Sequence, residues 1–127
     1  MAGSITVTTS KVGNLSKYRI AWVSDGAGAV SGNSFAVGDG ILEQVRYIPD
    51  GGGTQPTDLY DVVINDANSV DVLAGGGANL SNVNTTVAVP LISTYHRRVL
   101  EAGNLTPGIT NAGASKGGTI DLLVRPV

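Results

Sequence analysis

The chain has 127 residues, and its eight basic and ten acidic residues give a formal net charge of −2 at pH 7. This balance excludes the strongly basic surface that attracts nucleic acid, and the absence of cysteine excludes a disulfide-built secreted scaffold. Charged residues make up 14% of the chain, against about 25% in an average domain. We therefore expect partners to cover part of the surface.

The remaining composition predicts an all-β fold in one domain that spans residues 1–127. Eighteen glycines and only two glutamates are typical of turn-dense β proteins and not of helical bundles. The N-terminal residues lack the basic and apolar regions of a leader, and no apolar run approaches the roughly 20 residues of a membrane span. We expect a protein that is made soluble in the cytoplasm and has no membrane or nucleic-acid partner.

Alternating apolar and polar residues predict strands along the first half of the chain. The clearest alternation places Tyr18, Ile20 and Trp22 on the face that we expect to be buried. The N-terminal strand is expected at a sheet edge, and Pro49 ends the last strand of this half because proline has no backbone donor. The predicted segments are 4–9, 16–24, 29–37 (a weak one) and 41–49, the last with apolar residues on both faces.

Residues 51–81 predict a central hairpin between two glycine runs. Residues 59–64 form its first strand, the polar stretch Asn65–Asn68 reverses the chain, and residues 70–73 form its second strand. Asparagine, aspartate and glycine supply the turn conformations, while valine, isoleucine, leucine and tyrosine fit a half-buried pleated surface.

The last third predicts further strands and a second hairpin. Pro90 places the strand at 85–92 at an edge or a bulge, and residues 94–102 favour a bent strand over a helix. A glycine-rich loop joins the two strands of the hairpin, 104–110 and 119–125. Eight or nine such strands with regular turns predict a single antiparallel β-sandwich that is jelly-roll-like. The predicted core is Tyr18, Ile20, Trp22, Val45, Tyr47, Leu59, Val63, Val89, Leu91, Ile120, Leu122 and Val124.

None of the polar clusters predicts a reaction, so we expect no catalytic, cofactor or metal site. The acidic residues of 58–71 invite a Ca²⁺ hypothesis, but their spacing does not match the helix-loop-helix calcium pattern, and turn formation explains them better. Neither glycine run has the lysine and hydroxyl ending of a phosphate loop. His96, the only histidine, has no serine in a nucleophile elbow to activate.

One basic cluster is a candidate protein interface: Tyr95, His96, Arg97 and Arg98. Tyrosine and arginine are favoured anchors at protein interfaces. A plain solvated turn explains the same residues, and both interpretations stay open here. The interface hypothesis predicts that replacing Arg97 and Arg98 together with alanine weakens attachment and leaves the fold intact.

The order of motifs in the C-terminal two-thirds resembles that of a family of virion proteins. The residues that show it are PTDLYDV, VDVL, GGGANLS, VPLISTY and GNLTPGITNAGASKGGTIDLLVR. They are similar to small β-sandwich proteins encoded among the virion genes of tailed bacteriophages, in particular capsid decoration (cement) proteins. The resemblance assigns no individual site residues.

This resemblance implies a structural role without catalysis. A cement protein caps the junctions between major capsid subunits on the outer capsid surface, commonly as a dimer or trimer. The expected partners are therefore the major capsid protein and further copies of this chain, with the glycine loops and the 95–98 bend as contacts. A phage tail or head-tail connector protein and a carbohydrate- or ligand-binding β-sandwich are the alternatives, although six aromatic residues leave little for a sugar platform.

Overall fold

The structure is a computed structural model that describes residues 3–92 and 96–126. It confirms the predicted all-β class, because its only helical element is the 3₁₀ turn Gly52–Thr54. Ten strands make up the described chain. They are β1 (Ser4–Val12), β2 (Leu15–Val23), β3 (Phe35–Val37), β4 (Gly40–Pro49), β5 (Asp61–Asn65), β6 (Thr86–Ala88), β7 (Leu91–Ile92), β8 (His96–Leu100), β9 (Gly103–Thr110) and β10 (Gly117–Arg125).

The strands form two antiparallel sheets of unequal size. The larger sheet has the order β1-β2-β10-β4-β8-β7, with β6 also paired to β4, and the smaller sheet has the order β3-β9-β5. This arrangement agrees with the predicted antiparallel sandwich, while the jelly-roll connectivity stays a prediction. No helix of the described ranges has the length and apolarity needed to cross a membrane.

β1 and β2 form a tight hairpin at one end of the larger sheet. Their register runs without interruption from Ser4 opposite Val23 to Val12 opposite Leu15. Gly13, the first central residue of the two-residue turn, has a φ of 61°, a conformation that such hairpin turns require and that glycine adopts without strain. The predicted edge position of β1 is confirmed.

The core lies between the two sheets and contains most of the predicted residues. Ile20 and Trp22 of β2 pack in one apolar cluster with Leu105 and Ile109 of the smaller sheet. The Trp22 ring lies 5.6 Å from that of Tyr60, measured between centroids. Seven predicted core residues are buried, and Tyr18 is partly buried against them. The seven are Ile20, Trp22, Val45, Tyr47, Ile120, Leu122 and Val124.

The prediction for the strand at 59–64, which the structure begins at Asp61 as β5, placed the wrong set of residues in the core. Leu59 is 57% exposed and Val63 is 41% exposed, whereas Tyr60, Val62 and Ile64 are buried. A shift of one residue moves a whole set of side chains to the opposite face of a sheet. Both alternating sets contain apolar residues here, and the face that includes Asp61 is the one that meets solvent.

The prediction was also wrong for the face of residues 85–92. The segment is broken at Pro90 into β6 and β7, and Val87, Val89 and Leu91 are exposed. In β6, Thr86 and Ala88 lie opposite the buried Tyr47 and Val45 of β4. Because residues opposite one another share a face, Val87 must point away from the core.

Neither of the two predicted hairpins is present. Residues 70–73 form turns and make only an isolated bridge, Asp71 with Asn65. β9 pairs with β3 and β5, whereas β10 pairs with β2 and β4, so the loop between them crosses from one sheet to the other. For residues 94–102, the strand interpretation is confirmed over His96–Leu100, and positions 94 and 95 lie outside the described residues.

A bulge in β4 explains its two apolar faces. Leu123 of β10 lies opposite Gln44, but Val124 lies opposite Leu42, so the register skips one residue of β4. Such an extra residue resets the alternation. Leu42 and Val45, three positions apart, can therefore both be buried.

Tyr47 offers a test of the core. Its hydroxyl is buried without a hydrogen-bond partner among the described residues, and burial raises its pKa above the usual range. An unsatisfied buried hydroxyl costs about 1–3 kcal/mol. We expect Tyr47→Phe to leave the free energy of unfolding unchanged or to raise it by up to about 1 kcal/mol. Urea denaturation measures this, and a loss greater than about 1 kcal/mol would show that the hydroxyl is bonded in solution.

Candidate protein-interaction site

Strand β8 positions the predicted interface residues at the edge of the larger sheet. His96 is exposed at the start of the strand, and Arg97 and Arg98 follow it on opposite faces. Tyr95 lies outside the described residues. The structure thus brings the three described members together on one short strand that pairs with β4 and β7.

Arg97 shares a carboxylate with a second arginine. Its Nε lies 3.4 Å from Glu43 Oε2, and the Nε of Arg125 lies 2.9 Å from Glu43 Oε1. Both arginine side chains are about half exposed, and exposed ion pairs contribute only about 0–1 kcal/mol. Arg97 can exchange this contact for a carboxylate on another protein at little cost.

Arg98 is held inside the fold. It lies opposite Leu42 on the core side of β4 and is partly buried. Its Nη2 donates a hydrogen bond of 3.2 Å to the backbone oxygen of Asp71. Replacing Arg98 would therefore change a contact between β8 and the loop that follows β5, so Arg97 alone is the better residue for a binding test.

The same edge displays apolar side chains that the sequence prediction had placed in the core or left unassigned. Val87, Leu91 and Val99 are 55%, 36% and 65% exposed. Their partners across the strands are Arg46, Arg97 and Ile41 respectively. Paired residues share a face, and these three pairs lie on the outer face of the larger sheet. We call Val87, Leu91 and Val99 the apolar edge.

The apolar edge and the basic cluster form one mixed surface. Arg97 lies opposite Leu91 and two residues from Val99, so its guanidinium borders the apolar side chains on the same face. An apolar centre with arginine at its margin is the composition found at protein interfaces. The outward position of Val87 follows from its pairing with Arg46 of β4, which only the structure shows.

A small cleft lies on the other side of β8. It has a volume of about 190 Å³ and is bounded by β8, the turn after β5 and the start of β9. Its described lining mixes charged, amide and apolar groups and includes no aromatic ring. A stacked sugar requires an aromatic platform, so the cleft gives little support to a carbohydrate-binding role.

The acidic residues of 58–71 organise turns, as the sequence predicted. Asp71 Oδ1 accepts hydrogen bonds of 3.1 Å from the amides of Ile64 and Leu73, and Oδ2 accepts one of 3.1 Å from Gly75. Asp66 Oδ1 accepts hydrogen bonds from the backbone amides of Asn68 and Val70. The geometry of Asp71 also explains why residues 70–73 do not form a strand, since its carboxylate holds the amides of Leu73 and Gly75 in turns. Within the described ranges, no three potential metal-ligating side chains converge.

The two glycine runs differ in how firmly they are held. The first, Gly51–Gly53, is exposed and has free space around each Cα. The second, Gly75–Gly77, is bonded to its surroundings, and the Gly77 oxygen accepts a hydrogen bond of 2.7 Å from the amide of Val62. Only the first run fits the expectation of an adaptable loop.

The fold and this surface together define a class: an all-β protein of two antiparallel sheets whose larger sheet ends in an apolar, arginine-bordered edge. Comparison with family models, with curated proteins and with solved structures finds no match for the chain.

Proposed function

We propose that this protein is a virion structural protein without catalytic activity, most specifically a capsid cement protein. It binds the outside of an assembled icosahedral shell and bridges neighbouring copies of the major capsid protein. The single observation that supports this proposal best is the apolar edge, which leaves Val87, Leu91 and Val99 exposed on one face, with Arg97 opposite Leu91. The resemblance of residues 45–125 to phage decoration proteins supplies the identity of the partner.

The apolar edge suits a partner that presents a flat surface. Val87, Leu91 and Val99 stand on the outer face of a sheet. Burying such side chains contributes about 25 cal/mol per Å² of apolar area. Arg97 can at the same time make a charge-assisted bond to a carboxylate of the shell.

The proposed mechanism is linkage between binding and assembly. A protein that binds the assembled lattice, and not the free subunit, stabilises the lattice by mass action. The shell then resists opening because each bridging contact must be lost before the subunits separate. No reacting group is required for this role.

The test is co-sedimentation of the purified protein with undecorated shells of the phage that encodes it. We expect Val87→Lys/Val99→Lys to weaken binding at least tenfold, because each lysine places a charge where the proposed contact with the shell buries an apolar side chain. The matched control is Val63→Lys/Val70→Lys, which adds two lysines at exposed valines on other parts of the molecule. This control should bind as the original chain does.

Two results would contradict the proposal. Failure of the original chain to bind shells would remove the cement function, and equal binding by the apolar-edge variant would remove the assigned surface. A copy number of a few to tens per particle, measured by cryo-electron microscopy, would favour the tail or connector alternative over a shell protein, which occurs in hundreds of copies.

A further inference from the structure

Strand β1 is an open sheet edge of unusual length for this molecule. It has nine residues and pairs only with β2 among the described residues. The other terminal strands are short: β7 has two residues, β3 has three and β5 has five. The outer side of β5 is also covered, because the amide of Val62 donates to Gly77 and the oxygen of Ile64 accepts from Val72.

β1 has almost none of the features that protect an edge strand from pairing. It contains no proline, its register with β2 has no bulge, and its only charged residue is Lys11 near the turn. Long, regular, uncharged edges are templates for another strand. Just before the strand, Asn33 Nδ2 donates a hydrogen bond of 3.4 Å to the oxygen of Gly3, and this is the one side-chain hydrogen bond that the described residues make to this end of the edge.

The hairpin geometry decides which backbone groups are free. Val12 and Leu15 close a two-residue turn, and such a closing pair exchanges its hydrogen bonds across the strands. Because hydrogen-bonded and non-hydrogen-bonded pairs alternate along the strands, the backbone amides and oxygens of the even-numbered residues of β1 point toward β2. The amides and oxygens of Ile5, Val7 and Thr9 point outward from the sheet.

We propose that two copies of this chain pair through β1, antiparallel and about a two-fold axis at Val7. The sequence of the strand is nearly symmetric about that residue. Reading SITVTTS from Ser4 to Ser10, threonine stands on either side of Val7 and serine stands at both ends. In an isologous contact residue i meets j and residue j meets i, so the strand is complementary to itself.

The partner is a second copy and not an unrelated strand because every pairing in this register is favourable. Val7 meets Val7 of the second copy, Thr6 meets Thr8, Ser4 meets Ser10, and Ile5 meets Thr9. Hydroxyl residues therefore oppose each other on the outer face, where threonine pairs stabilise strand pairing. Val7 and Ile5, which pack against the core of their own chain, continue the apolar inner face across the axis. No two charges meet in this segment.

Cysteine variants test the register directly, since the chain has no cysteine of its own. Thr6 and Thr8 of opposite copies form a pair without backbone hydrogen bonds, with Cα atoms about 4.5 Å apart, within the range of a disulfide. Equal residues of the two copies are offset by two positions and lie beyond about 7 Å. We expect oxidation to link Thr6→Cys to Thr8→Cys when the two proteins are mixed, and to link neither protein alone.

A pair of charge variants tests the contact by sedimentation equilibrium. Thr6→Glu/Thr8→Glu places like charges opposite each other twice, and we expect its dimer dissociation constant to rise at least tenfold. Thr6→Lys/Thr8→Glu places opposite charges there and should dimerise as the original chain does. The two variants differ only at position 6, which lies opposite Ala21 within the chain, so circular dichroism should show the same fold in both.

These measurements use the isolated protein and do not depend on the proposed binding to shells. A chain that sediments as a monomer at every concentration would overturn the inference. The inference would also fail if both charge variants dimerised equally well. It would fail as well if oxidation linked two molecules of Thr6→Cys to each other, or two molecules of Thr8→Cys to each other.

Discussion

Replacing Gly77 with alanine is expected to destabilise the protein by about 3 kcal/mol, the upper end of the range for overpacked sites. A Cβ at this position would overlap the backbone oxygen of Val62 and lie 3.2 Å from Cδ1 of Leu73. The Val62 oxygen belongs to β5 and the Leu73 side chain is fully buried. Neither can move without disturbing the smaller sheet.

The matched control is Gly53→Ala in the first glycine run. A Cβ there meets no atom within 4 Å, so we expect a change within about 0.5 kcal/mol. Urea denaturation of both variants gives the comparison. If Gly77→Ala is as stable as Gly53→Ala, then the 75–77 run is not held against β5 in solution and both runs are adaptable loops.

Loss of Arg19 is expected to cost about 2–3 kcal/mol, because it leaves a buried carboxylate without its charged partner. Asp121 is fully buried on the central strand β10, and it accepts two hydrogen bonds of 2.8 Å from Nε and Nη2 of Arg19. These hydrogen bonds and the charge of Asp121 raise the pKa of Arg19. Since the Arg19 side chain is 46% exposed, we expect less than the loss seen on breaking a fully buried pair.

A double-mutant cycle measures the interaction energy between Arg19 and Asp121 apart from the effects of changing each residue alone. Asp121→Asn should cost only about 1 kcal/mol, because the freed guanidinium can turn to water. Arg19→Met with Asp121→Asn should cost less than the sum of the single changes, since the buried charge is then absent. Strict additivity, measured by chemical denaturation, would show that the two side chains do not interact in solution.

The two proposed surfaces lie at opposite ends of the larger sheet. β1 is the first strand in the sheet order, while β8 and β7 are the last. A dimer formed through β1 would therefore display two apolar edges far apart on one continuous sheet. If both proposals hold, each dimer can bind two sites of a lattice, and the second binding event is favoured by effective concentration. Bridging between capsomers would follow from the fold without any further element.

The strands with a strict alternation could be predicted from the sequence. In β2, Tyr18, Ile20 and Trp22 share one face while Lys17 and Arg19 lie on the other, and in β10 Ile120, Leu122 and Val124 share one face. Ile20, Trp22, Ile120 and Leu122 are buried as expected, although Leu123 on the other face of β10 is buried as well. Period-2 patterning decides both the strand and its inner face when only one face is apolar. The single basic cluster was also visible, because charge patterns do not depend on packing.

Other features depended on contacts between distant segments. β5 has apolar residues on both faces, and its inner face was decided by pairing with β9. β9 and β10 are adjacent in sequence and have turn residues between them, which favours a hairpin. They nevertheless pair with strands of different sheets, β9 with β3 and β5 and β10 with β2 and β4.

The candidate surfaces show the same division between sequence and tertiary structure. The sequence alone shows the near-symmetric segment around Val7 and the valines of residues 87–99, and its alternation and turn residues predict an all-β protein. Only the tertiary structure decided that β1 has one neighbour and that β6 turns Val87 outward, since Ala88 and Thr86 already lie opposite the buried face of β4. The physical reason is that alternation along a strand fixes which side chains share a face, whereas the partner strand decides which face is buried.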